Sequence, residues 1–308
     1  MAADAMERTA PWRNRTTLRC YTARATPPND FRHWCRSPGA PSLRPHRRTQ
    51  GDGAMGFLDK VRKLFSFSFN RLEDGTPLTP AQHRGLALGA VYAAESYLPI
   101  NALTAESDRA TAVALLASAW GVTSAGSARE VTESLLSQGH RAHYAVVNPR
   151  VERLHRGSRS DAAAVAQANL AALPGEAVAR GLDLESTRDY YESWHEAAEE
   201  GLFDKLPRPL PASIMAWDMG RLVQLHRLIQ DARLLRAEES WNAIASAARL
   251  AQPAYQSWRD FGDSFVVGRA FWLATHDLDR IAEDTDTFQR ATAHLLSHEH
   301  SPWRQMAW

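Results

Sequence analysis

From residue 79 onward, apolar residues recur at three- and four-residue intervals, the period of helices packed on one side. Thr79, Pro80 and Gln82 read as an N-cap, a first-turn proline and the far half of a capping box. They open a helix in which Leu86, Ala90, Ala93 and Tyr97 share a face before Pro99 stops it. A second helix is expected from Thr104, carrying Val113, Leu116 and Trp120 and ending at Gly121. A third opens on a Ser127–Glu130 capping box, continues through Val131 and Leu135 and closes at Gly139. The pattern fades over 146–185, where Arg150, Arg153, Arg156 and Arg159 surround Gly157, so a surface excursion with a short helix at 161–172 is expected. It resumes at 187–200 with Tyr190, Tyr191 and Trp194, after which Pro207, Pro209 and Pro211 form a stiff linker. Strand alternation is absent, and Tyr144-Ala145-Val146-Val147 is too short to count. The pattern predicts an all-α fold: a single multi-helix globular domain of roughly seven to nine helices over 78–308, with a Trp-rich C-terminal core.

The sharpest departure from a simple helical stripe lies at 217–272, punctuated by Trp217, Trp241, Trp258 and Trp272. On a helix over 214–229, Ile214, Trp217, Leu222, Leu225, Leu228 and Ile229 form an apolar face, and Asp218 and Arg221 fall in its middle. On a helix over 254–273, with Pro253 at its start, Tyr255, Trp258, Phe265 and Trp272 share a face centred on Arg269. Gly262 lies there too, where a neighbouring ring or backbone could approach. Buried charges need partners. We therefore expect Asp218 to pair with Arg221, Arg269 or both, and Arg269 to stack on aromatic rings. Such a cluster either fixes helix register or lines a polar pocket for an anionic ligand or a partner's side chain, and a buried ion pair alone is weak evidence for chemistry.

Composition changes this picture at the N-terminus. The overall charge is +1, but residues 1–54 hold ten arginines, no lysine, four acids, six prolines and both cysteines, Cys20 and Cys35. A segment so polar, with no periodicity, is expected to be a disordered extension. It reads as a basic tail, an organellar transit peptide, or upstream sequence translated from a misassigned start with the true start at Met55; the last is preferred. The codons for Gly51-Asp52-Gly53-Ala54 can form a purine-rich, ribosome-binding-like stretch, and 33 arginines against 3 lysines suggest a GC-rich bacterial gene. Residues 55–77 form a short amphipathic segment in which Phe57, Leu58, Val61, Leu64 and Phe65 share a face. That face more often docks on its own domain than on a membrane surface.

The remainder is mildly acidic and free of cysteine, which removes nucleic-acid attraction, disulfides, a thiolate nucleophile and cysteine-based zinc sites from consideration. No apolar run spans a bilayer and no signal peptide is visible, so a cytoplasmic location is expected. Phosphate-binding glycine loops and the Gly-x-Ser-x-Gly elbow are absent. His294 and His298 have a metal-compatible spacing, with His300 close by, but lack a recognisable third ligand, so no metal is expected. His140 and Arg141 follow a helix end, where His140 could serve as a general base or satisfy helix carbonyls.

Several separated motifs occur in a fixed order: Leu78-Thr79-Pro80, Trp120-Gly121-Val122-Thr123, Gly139-His140-Arg141, Trp217-Asp218-Met219-Gly220-Arg221, Ser257-Trp258-Arg259-Asp260-Phe261-Gly262, Gly268-Arg269-Ala270-Phe271-Trp272, Ser301-Pro302-Trp303-Arg304 and Trp308. Together they resemble the bacterial family of domain of unknown function 1266 over about 78–308, most loosely at 146–210. The resemblance implies a bacterial source and no particular reaction. One departure is Ala232-Arg233-Leu234-Leu235, where the family carries a glycine-aromatic turn.

Absent catalytic motifs and abundant aromatics lead to a non-enzymatic protein-binding module with an unknown protein partner, no nucleic acid and no cofactor. The alternative is an enzyme or small anionic-ligand binder using Asp218, Arg221, Arg269, His140 and Arg141. Geometry discriminates the two: convergence on an open concavity favours the second, mutual sealing the first.

Overall fold

The computed structural model describes residues 69–73, 77–158 and 160–308. The extension over 1–54, the amphipathic run Phe57–Phe65 and Arg159 lie outside the described residues. Within them are ten helices of eight residues or more and two shorter ones, with no strand; a lone bridge joins Asn70 to Pro99. The helices are α1 Pro80–Ala87, α2 Ala90–Ser96, α3 Arg109–Trp120, α4 Ala125–Ser137, α5 Arg141–Arg156, α6 Ala162–Ala179, α7 Leu184–Glu199, α8 Met215–Ala232, α9 Ala237–Ala251, α10 Trp258–Ala274, α11 Ile281–Ser297 and α12 Pro302–Gln305.

The Thr79–Gln82 capping box is present, but the helix it opens breaks at Leu88-Gly89. Tyr97 adopts a left-handed C-cap and points outward instead of completing the Leu86–Ala90–Ala93 face. Helix α3 begins later than the sequence suggests, because Asp108 caps it while Thr104 donates to Asp231 on α8. The capping box of α4 is formed by Ser124 and Ser127, not by Ser127 and Glu130. Likewise Ser257 caps α10, so the helix starts four residues beyond 254 and Tyr255 precedes it. Two long helices, α5 and α6, replace the expected excursion over 146–185; the short helix expected at 161–172 is present but extends to Ala179 as α6. Internal prolines at 149 and 174 obscured them; each helix tolerates its proline within a regular span.

Helix α8 organises the domain. It packs against α2, α3, α4, α9 and α10, and every residue from Ala216 to Ile229 is buried. The helix is therefore enclosed all round rather than amphipathic, which is why its charges fell among apolar residues on a helical wheel. Helix α10 is nearly as enclosed and packs on α8, α7 and α11. Helices α5, α6 and α7 form a second group that reaches this core through α7 against α10. The close approach of α8 and α10 depends on glycine: a Cβ on Gly268 would collide with the Trp217 side chain, and one on Gly220 with Phe265. Behind Arg221, the Trp217 ring meets Tyr92, Phe265 and Trp272. A second aromatic cluster joins Trp258, Phe261, Trp303 and Trp308 at the C-terminal end, with the Trp303 ring against Gly262.

Polar groups on α8 are satisfied by specific partners. His226 is one example, enclosed between α4 and α9. Thr132 gives its hydroxyl proton to the Ala128 carbonyl, so its oxygen accepts from His226 Nε2–H at 3.1 Å. Ser240 can then donate to the bare Nδ1 at 2.9 Å while accepting from Gln230. This network fits a neutral imidazole, and burial pushes its pKa down to about 4. The Ala232–Leu235 turn is made with Arg233 in the left-handed region, at φ 58°, which supplies the chain reversal without a glycine.

Candidate functional site

The charged residues of the Trp cassette separate into two places. Arg269 does not meet Asp218. It forms a bidentate pair with Asp284 on α11, at 2.6 and 2.9 Å, with both side chains sealed. Its guanidinium lies 4.9 Å from the Trp272 ring and 5.2 Å from Phe288, so the expected aromatic stacking is present. The sequence reading missed Asp284, although it lies on the same helical face as Ile281 and Phe288, where a carboxylate needs a cation.

Asp218 pairs with Arg141 instead of Arg221. Its Oδ2 accepts from Arg141 Nη1 at 2.9 Å and from the Arg141 backbone N–H at 3.2 Å, while Oδ1 accepts from the His140 backbone N–H at 2.9 Å. The fully buried carboxylate thus caps the first turn of α5 from a different helix. Burial alone would raise its pKa, but contacts from His140 and Arg141 outweigh that and hold the group below the ordinary carboxylate range. Arg141 also donates to the carbonyls of Leu135 and Leu136, tying the end of α4 to the start of α5. Gly139 makes the tight connection at φ +55°, and any Cβ there would strike Asp218 and Arg141.

This turn carries His140 to Arg221. Arg221 Nη1 lies 2.9 Å from His140 Nδ1. A guanidinium can only donate, so Nδ1 must be bare and the ring proton must sit on Nε2. The 3.6 Å approach of Nδ1 to Asp218 is too long to compete as a hydrogen bond. Burial and the neighbouring Arg221 charge depress the His140 pKa to about 4, which keeps the ring neutral near pH 7. Arg221 rests 4.6 Å from the Trp120 ring; burial lowers its pKa, partly offset by Tyr92 and Asp218.

Three residues along, His143 has the opposite tautomer. Its Nδ1 is 3.0 Å from Thr187 Oγ1, and Thr187 gives its only hydroxyl proton to the Asp183 carbonyl at 2.6 Å. Thr187 must therefore accept, placing the His143 proton on Nδ1 and leaving Nε2 with a free lone pair. Burial lowers the His143 pKa, with Asp183 and Asp218 opposing. Both imidazoles rest against the Tyr190 ring, at centroid distances of 6.0 and 5.1 Å, and Tyr190 stacks on Phe271 at 4.6 Å. Among the described residues neither Nε2 has a hydrogen-bond partner, and neither is sealed from solvent.

Both histidines line a cleft of about 460 Å³ between α4, α5, α7 and α8. Trp120, His140, His143, Tyr190 and Arg221 form its inner wall, and Ser127, Glu130, Ser134 and Gln138 line the α4 side. Of the five residues singled out from sequence, His140 and Arg221 reach this cleft. Arg141 and Asp218 support it from behind, and Arg269 belongs to the separate pair with Asp284. His143 escaped notice, although its three-residue spacing from His140 places both on one helical face.

The family model for Protein of unknown function (DUF1266) matches residues 115–308, more than half of the chain and all of the cleft. The chain belongs to this family. The segment 78–114, where the earliest motif lies, precedes the match. No curated protein and no solved structure matches the chain. Family membership brings no activity with it, so chemistry must be argued from the cleft. In the His294–His298–His300 group the rings meet at tilted angles and His294 stacks on Phe69, and among the described residues no group of three or more His, Cys, Asp or Glu side chains is placed to hold a metal ion. No helix among them is long and apolar enough to cross a membrane.

Proposed function

We propose that the cleft binds a small molecule through a carboxylate or carbonyl oxygen. The observation that carries this reading is the pairing at its inner wall of the Arg221 cation with His140, whose Nε2–H is fixed by that same arginine. A neutral imidazole N–H beside a guanidinium offers an oxygen atom a donor and a positive field in a partly desolvated setting. A volume of about 460 Å³ lies within the range that suits small ligands. The Asp218 carboxylate sits behind the wall with its oxygens committed to α5, so it offsets the Arg221 charge without facing the ligand.

The test is a titration with succinate, followed by ¹⁵N chemical shifts of His140 and Arg221. Saturable shifts in the wild-type protein, absent in Arg221→Gln, support the reading. Equal responses in both proteins, or none in either, overturn it. The other expectation, a protein-binding module, calls for a contiguous apolar face. Among the described residues, the exposed large apolar side chains Tyr97, Val113, Val178 and Leu250 are spread over four helices or their ends, and this favours the small-ligand reading.

A further inference from the structure

The opposite tautomers of His140 and His143 give the cleft two chemically different Nε2 atoms. One presents a proton and the other a lone pair, three residues apart on one helix and against the same tyrosine ring. We infer that the cleft hydrolyses small carboxylic esters, with His143 as general base toward water and His140, beside Arg221, as oxyanion donor. The inference rests on the ligand-binding reading above and adds a reaction to it.

Each tautomer is set by a group that cannot play the other role. Arg221 has no lone pair to offer His140 Nδ1, and Thr187 has already given its proton away. The ring protons are therefore assigned by the fold before any substrate arrives, as a preorganised acid–base pair requires. The depressed pKa values of both histidines keep the rings neutral near pH 7, the state in which one can accept a proton and the other can donate a hydrogen bond. Water is the nucleophile because the cleft is open and no serine hydroxyl is hydrogen-bonded to either Nε2 among the described residues, as an activated serine would be. Carbanion chemistry would favour a site that excludes water.

The step balances without any further reagent. His143 Nε2 removes a proton from water as its oxygen forms a bond to the ester carbonyl carbon. The carbonyl π pair moves onto oxygen, where His140 Nε2–H and the Arg221 charge stabilise it. Collapse of this oxyanion breaks the bond to the alkoxy group, which leaves with the proton from His143. The products are one carboxylic acid and one alcohol, and His143 returns to its starting tautomer.

The test uses the full chain with 4-nitrophenyl acetate as probe, alongside His143→Gln, His140→Gln and Arg221→Gln. Removing the base should lower kcat/KM by about 10²-fold or more, and removing the oxyanion donor by about 10²–10³-fold. Two-bond ¹H–¹⁵N spectra of the wild type should show His140 protonated at Nε2 and His143 at Nδ1, the arrangement the reaction needs. Acidification should lower wild-type kcat/KM as His143 takes up a proton, and that acid limb should be missing from the residual activity of His143→Gln, which a merely structural role would not produce. Diethyl pyrocarbonate should carbethoxylate His143 faster than His140, whose only bare nitrogen is covered by Arg221. Wild-type hydrolysis no faster than that of His143→Gln overturns the proposal, as does finding both histidines in one tautomer. Succinate binding without ester hydrolysis sinks the reaction and leaves the binding reading standing; loss of both sinks both.

Discussion

Acidification should destabilise this protein well above the pH at which carboxylates titrate, and His226 supplies a measurable share of that loss. In the folded chain the ring is buried, with Nε2–H given to Thr132 and Nδ1 positioned to accept from Ser240, and its pKa is held at about 4. In the unfolded chain it titrates near its ordinary value of 6.5. Between those values the unfolded state binds the proton and the folded state does not, so stability rises with pH across this window. Conversely, stability is lost as pH falls from about 6.5, and the loss levels off near pH 4. The slope is about 1.4 kcal/mol per pH unit. Allowing for partial protonation near the edge, the cost between pH 7.5 and pH 5 is about 2 kcal/mol. Urea unfolding of wild type and His226→Gln at pH 7.5, 6 and 5 measures it. The variant can be less stable at pH 7.5, but its loss on acidification should be smaller by about 2 kcal/mol. Parallel pH profiles for the two proteins would refute a neutral, protonation-resistant His226. His140, with its pKa also at about 4, contributes the same kind of slope to both proteins and cancels in the comparison.

Further predictions concern the supports of the cleft and the separate buried pair on α10 and α11. Asp218→Ala removes the only carboxylate paired with Arg141 among the described residues and leaves the first N–H groups of α5 without their acceptor, and should cost about 3–5 kcal/mol in urea unfolding; a loss under 1 kcal/mol would contradict the capping role. Because the Asp218 pKa is depressed, its contribution is intact above about pH 4 and falls away only as pH drops through the folded value, a window separate from that of the histidines. Gly139→Ala, at a positive φ and with its Cβ directed at Asp218, should destabilise by about 1–3 kcal/mol or more, read as a lowered thermal midpoint; an unchanged midpoint would mean the turn relaxes freely. Arg269→Lys keeps the charge but loses the bidentate pair with Asp284, so a cost of about 1–3 kcal/mol is expected. If lysine substitutes without loss in the same unfolding assay, the planar geometry contributes nothing.

The all-α fold was legible because its start and stop signals are local. Thr79 with Gln82 and the left-handed Gly121 are read within a few residues and recur in the structure. Helix α5 was hidden and α6 expected only as a short helix at 161–172, because Pro149 and Pro174 look like breakers and only tertiary packing shows them tolerated. A helical wheel places Asp218 and Arg221 close enough to pair on α8, but both look outward to a different helix. Asp218 finds Arg141 on α5, and Arg221 finds His140 in the turn before it. Pair choice across 80 residues of chain is a property of the packed core, so spacing could nominate these side chains without assigning their partners. The His143 tautomer was less accessible still, since it depends on where Thr187 sends one hydroxyl proton.

The two glycine–ring contacts between α8 and α10 bear on how this family diverges. Trp217 fits because residue 268 lacks a side chain, and Phe265 fits because residue 220 does. The stretches Trp217-Asp218-Met219-Gly220-Arg221 and Gly268-Arg269-Ala270-Phe271-Trp272 are therefore two halves of one joint. A larger residue on one helix is viable only with a smaller one inherited on the other, so these positions should covary as reciprocal pairs among homologues. Such invariance or covariation would record the geometry of a helix crossing. If the cleft binds ligands as proposed, differences in ligand between members should appear instead along its α4 side, at Ser127, Glu130, Ser134 and Gln138, where a change of side chain leaves the joint intact.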